Sequence, residues 1–103
     1  MRIQILVVPD CPHHKYAAER LRRVLEDIGS STTIATRIIT DQAEAERIGF
    51  IGSPTILIDG RDPFPEPGRP AGLAWRRYQT PDGPAGFPSR DQLHRALTGI
   101  PPC

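Results

Sequence analysis

The sequence predicts one α/β domain, a four-stranded mixed sheet with helices on both faces, in the order β-α-β-α-β-β-α. Three observations predict it. Short β-branched runs alternate with segments whose apolar residues recur every three or four positions. Two strand–helix units come first, which implies parallel strands joined by right-handed crossovers, and the closing β-β-α adds an antiparallel edge. The chain has 103 residues, enough for one domain over 1–100 and a short tail at 101–103.

Arg2 to Val8 is an apolar, β-branched run closed by Pro9, the pattern of a buried strand. Pro12 then sits where a first helical turn tolerates a missing N–H. From His13 to Ile28, Ala17, Leu21, Val24, Leu25 and Ile28 form one apolar face, and Gly29 is the expected stop. Lys15, Glu19, Arg22, Arg23 and Glu26 fall on the opposite, solvated face. Thr32 to Ile39 is a second β-branched strand. Asp41 followed by Glu44 opens a short helix that ends near Gly49. Thr55 to Ile58 is a third strand, and Asp59-Gly60 is a turn.

Prolines at 63, 65, 67 and 70 make the next segment neither helix nor central strand, so it reads as a rigid extended connection. Leu73 to Tyr78 is assigned as the fourth strand, with Leu73, Trp75 and Arg77 on one side and Ala74, Arg76 and Tyr78 on the other. Thr80 to Pro88 is a turn-rich connection. Ser89 and Gln92 form a capping box for a last helix, which carries Leu93, Ala96 and Leu97 and closes at Gly99.

Composition excludes several classes. Thirteen basic against twelve acidic residues leave a net charge of +1, without the basic excess of a general nucleic-acid binder. The longest apolar run, Ile5 to Val8, is far too short for a membrane span. The first residues do not read as a signal peptide. Two cysteines, Cys11 and Cys103, are too few for a disulfide scaffold. A cytoplasmic, reducing environment is the expectation, with neither nucleic acid nor membrane as partner.

The chemistry is concentrated in Pro9-Asp10-Cys11-Pro12-His13-His14, at the joint between the first strand and the first helix. Unpaired N–H groups and the helix dipole at such a joint favour a thiolate, and His13 and His14 add positive charge when protonated. Cys11 is the candidate nucleophile and His14 its stabiliser, with Asp10, Pro12 and His13 in support. Three ligands packed into four residues at a helix start converge poorly on one tetrahedron, so no resident metal is expected, and no other cofactor. In Gly52-Ser53-Pro54-Thr55 a proline opens a strand after a loop, which makes Pro54 a candidate cis-proline beside the end of the first strand.

With Cys11-Pro12-His13-His14 after strand one and Ser53-Pro54-Thr55 before strand three, the chain resembles the thioredoxin superfamily over roughly residues 2 to 99. The resemblance implies that Cys11 attacks a disulfide and that Ser53, Pro54 and Thr55 dock the substrate backbone. Cys-Pro-His resembles the opening of a Cys-Pro-His-Cys oxidant site, but His14 stands where that family has its resolving cysteine. Monothiol exchange with a protein or low-molecular-weight thiol or disulfide then follows, resolved by an outside thiol or by Cys103.

The chain is also similar to short bacterial thioredoxin-like proteins, some labelled alkylmercury lyase. It shares with them Cys11-Pro12, Gly52-Ser53-Pro54-Thr55 and Asp59-Gly60-Arg61-Asp62-Pro63-Phe64. Those relatives often carry a cysteine in the fourth-strand segment, at the place where Trp75 stands. That resemblance implies soft-metal or organomercurial handling, with Cys11 as thiolate and Asp10 as proton donor. A non-catalytic interaction module on the same fold is the third reading.

Overall fold

The structure is a computed structural model that describes residues 1–99. Cys103 and the 101–103 tail lie outside the described residues. The elements are β1 (Ile3–Val7), α1 (His14–Asp27), β2 (Ile34–Ile38), α2 (Gln42–Ile48), β3 (Thr55–Ile58), β4 (Tyr78–Thr80), β5 (Gly83–Ala85) and α3 (Arg90–Thr98).

The first sheet is three-stranded, in the order β2-β1-β3. β1 and β2 run parallel, as two strand–helix units require. β3 runs antiparallel to β1, so Thr55 at its start faces Leu6 at the end of β1. Alternation along β1 sorts the core into two layers. Ile3, Ile5 and Val7 meet Leu21, Val24 and Leu25 of α1, Ile56 of β3 and Leu93 of α3. Leu6 points the other way, into Ile39, Ala45 and Phe50. Helices therefore cover both faces: α1 and α3 on one, α2 on the other.

Local chemistry accounts for the helix ends. At the close of α1, Gly29 N–H bonds to Glu26 O at 3.0 Å and Ser30 N–H to Leu25 O at 2.8 Å. That pair is a Schellman motif, and it needs the left-handed backbone that Gly29 adopts at φ 75°. Asp41 accepts from the Glu44 N–H at the start of α2. Ser89 and Gln92 form a reciprocal capping box at the start of α3. α3 is held on α1 mainly by Leu93, buried in the shared core. The Arg90–Asp27 pair between the same helices is exposed on both sides and contributes well under ~1 kcal/mol.

The expected fourth strand is not in this sheet. Of residues 73–77, Trp75 alone bridges β-fashion, in parallel sense, to Ser53. On the outer edge of β3, Arg61 returns to bridge Ile58 at one end, and Trp75 meets Ser53 ahead of the other. Tyr78 onward instead forms a separate two-stranded sheet, where β4 pairs antiparallel with β5 through Tyr78–Ala85 and Thr80–Gly83. β5 falls in the stretch expected to be only a connection, because Pro84 hides a strand from sequence reading. The split of sides still holds at five positions: Arg76 and Tyr78 are buried, and Leu73, Trp75 and Arg77 are exposed.

Candidate functional site

The chain leaves β1 through a turn in which Asp10 takes a left-handed φ of 59°, a conformation that Asp tolerates better than most residues. Cys11 follows, half-buried and free, its side chain against the cluster containing Val7 and Leu21. The helix begins later than expected. His13 is the N-cap and His14 the first helical residue. Pro12 therefore lies ahead of the cap, exposed in a turn closed by His14 N–H on Cys11 O at 3.3 Å. The cap has no side-chain hydrogen bond, so the first turn of α1 offers unpaired N–H groups near Cys11.

The two histidines diverge. His14 Nε2 lies 3.4 Å from Thr36 Oγ1 on β2. The His13 ring instead faces Phe87, centroids 6.1 Å apart, and presses on the backbone of Gly86. Among the described residues, no hydrogen bond joins the His14 ring to Cys11. No three His, Cys, Asp or Glu side chains there form a group able to hold a metal ion.

The Ser53–Pro54 bond is cis, and the loop that carries it is tied to the chain just past β1. Val8 N–H, three residues before Cys11, donates to Ser53 Oγ at 3.0 Å. The loop's other polar groups are also engaged by the chain itself. Ser53 N–H bonds to Ala74 O at 2.7 Å, and Arg76 N–H to Ser53 O at 2.9 Å. Pro54 O accepts from the Tyr78 hydroxyl at 2.5 Å, and Thr55 Oγ1 donates to Gly52 O at 2.6 Å. Ser53, Pro54 and Thr55 are all buried. Residues 74–76 thus lie along the loop's backbone as a strap.

Arg76 bolts that strap down, and sequence reading missed its role. Its side chain is fully enclosed. Nε donates to Glu66 at 3.0 Å, Nη1 to Asp62 at 2.8 Å and to Thr55 Oγ1 at 3.1 Å, and Nη2 to Phe64 O. The guanidinium also stacks 4.6 Å from the Tyr78 ring. A buried arginine is tolerated only when paired in this way. The proline-rich segment thereby gains a function: Asp62 and Glu66 are the counter-charges of Arg76. The available signal was the placement of Arg76 on the same strand side as Tyr78. Gly52 completes the fit, since a Cβ there would sit 2.9 Å from Arg76 Cβ.

Beyond the strap lies an open cleft of about 370 Å³, lined by His13, Trp75, Arg76, Arg77 and residues 84–86. No described helix is long and apolar enough to cross a membrane. Compared with family models, curated proteins and solved structures, the chain matches none.

Proposed function

We propose that the protein is a monothiol exchanger of thioredoxin-like type, acting through Cys11. The supporting observation is the placement of Cys11: free and half-buried at the joint of β1 and α1, three residues past Val8, whose N–H bonds to Ser53 ahead of the cis-proline. The Cys11 thiolate attacks one sulfur of a disulfide RS–SR′. The S–S bond breaks, a Cys11–SR bond forms, and R′S⁻ leaves with the electron pair and takes a proton from water. An outside thiolate R″S⁻ then attacks the R sulfur, forming R″S–SR and returning the Cys11 thiolate. With His14 in the resolving position, no internal thiol of the first turn shortens the life of the mixed disulfide.

The loop of Ser53, Pro54 and Thr55 serves in this reading as the wall of the site. Substrate recognition passes to the side chains beside it, because the loop's backbone is paired with residues 74 and 76. Exchange is preferred to organomercurial cleavage, which needs a second thiolate on the metal. Cys11 is the one cysteine among the described residues.

Incubation of native protein with a small disulfide, followed by intact mass analysis of the Cys103→Ser variant, tests the proposal. One adduct on Cys11, reversed by added thiol and lost in Cys11→Ser, is expected. A Cys11 that stays unmodified until the protein is unfolded overturns it.

A further inference from the structure

We propose that the cleft between His13, Trp75, Arg77 and residues 84–86 binds a small aromatic carboxylate, with its ring on the Trp75 indole and its carboxylate on the Arg77 guanidinium. Three features carry the assignment.

The cleft holds about 370 Å³, in the range of pockets that take small organic molecules. Its wall is aromatic: Trp75, the sole tryptophan, is 54% exposed although its neighbours Arg76 and Tyr78 are buried. A large indole left open at the lip of a cleft supplies a stacking face. Its charge is unbalanced. Arg76 is neutralised by Asp62 and Glu66, but the Arg77 side chain makes no ion pair or hydrogen bond among the described residues. Among the described residues, no carboxylate lines the cleft. A free guanidinium beside an open indole fits a planar anion, since arginine grips a carboxylate with two parallel N–H donors.

The strap explains why such a site is needed. Ser53 has its N–H and C=O bonded to Ala74 and Arg76, so backbone pairing cannot select a ligand there. The same strap leaves Trp75, and Arg77 just past it, exposed and lining the cleft. It thus trades a backbone docking edge for a side-chain binding face. The site stands without Cys11; only its service as the seat of Cys11's substrate rests on the exchange proposal above.

Trp75 fluorescence reads occupancy directly, because no other tryptophan is present. Benzoate should change the emission saturably, and benzamide, its neutral analogue, should not. Arg77→Gln should weaken benzoate binding about tenfold, and Arg77→Lys should restore part of it. Arg77 is exposed, so these variants should keep the wild-type circular dichroism and unfolding midpoint. Cys11→Ser should bind benzoate as the wild type does. A failed exchange assay would then leave the cleft assignment standing, and a failed benzoate titration would leave Cys11's chemistry standing. No saturable response, or equal responses to benzoate and benzamide, overturns the cleft assignment. So does emission that tracks protein concentration instead of benzoate, which would place a second copy of the chain over Trp75.

Discussion

The Arg76 guanidinium donates to Thr55 Oγ1 across 3.1 Å, and both residues are buried. This bond joins the strap of residues 74–76 to the first residue of β3, next to the cis-proline loop. The same guanidinium holds Asp62 and Glu66, so one side chain ties three segments together. Removing it leaves Asp62 without its cation, Glu66 with Arg69 alone, and a cavity behind the loop. Arg76→Ala should therefore destabilise the fold by about 3–5 kcal/mol, the usual cost of breaking one side of a buried pair. Urea unfolding checks it. Arg76→Lys should recover only part, because an ammonium cannot reproduce the planar fork. A loss below ~1 kcal/mol in Arg76→Ala would show that the strap is held mainly by backbone bonds.

Tyr78 gives a pH signature. Burial raises its hydroxyl above the ordinary value of 10.0, and the positive charge of Arg76 opposes that only in part. The folded state thus holds its proton more tightly than the unfolded state does. The stability this contributes is complete below about pH 10 and is lost as pH rises toward the folded value. In Tyr78→Phe the hydrogen bond to Pro54 O disappears, which should cost about 1 kcal/mol at neutral pH. As the pH climbs past 10, the wild type should lose stability faster than the variant, and the gap between their urea midpoints should close. A gap that stays constant with pH would mean that Tyr78 ionises without unfolding cost.

Local patterns were legible and long-range compensation was not. β3 begins and ends where the β-branched run does, and the buried face of α1 holds the apolar residues that its spacing predicted. Capping at Asp41 and Ser89 follows from side chains three residues apart, a signal contained in a few positions. The cis bond at Pro54 follows from a proline that opens a strand after a loop, again a local pattern. The fourth strand failed because its fate depends on residues far away. Arg76 turns inward to Asp62 and Glu66, and Arg61 occupies the sheet edge. Nothing within 73–78 encodes those partners. The split between His13 and His14 is invisible for the same reason: Phe87 and Thr36 decide it.

In the proposed exchange, His14 is the position that separates monothiol from dithiol behaviour. Its ring is spent on Thr36, on an exposed contact worth little to the fold. His14→Cys should fold within about 1 kcal/mol of wild type, as surface changes away from special features do. It should also place a second thiol in the first turn after Cys11. In the Cys103→Ser background, the mixed disulfide between Cys11 and a small disulfide should persist in the parent. In His14→Cys it should collapse to an internal disulfide, read as loss of the adduct mass. Persistence of the adduct in both would place residue 14 out of reach of the Cys11 sulfur.

Gly86 and His13 are coupled by space alone. A Cβ built on Gly86 would come within 2.6 Å of the His13 ring, closer than atoms can sit. Gly86→Ala must therefore push the imidazole away from Phe87 or move the backbone that follows β5, at a cost of about 1–3 kcal/mol for an overpacked contact. Shortening the ring removes the obstacle, so His13→Ala combined with Gly86→Ala should be less destabilised than the two single losses added together. The coupling expected from a double-mutant cycle is about 1 kcal/mol. Strict additivity would mean that the ring swings aside freely. Because His13 also walls the cleft beside Trp75, the displaced ring in Gly86→Ala should change Trp75 emission as well.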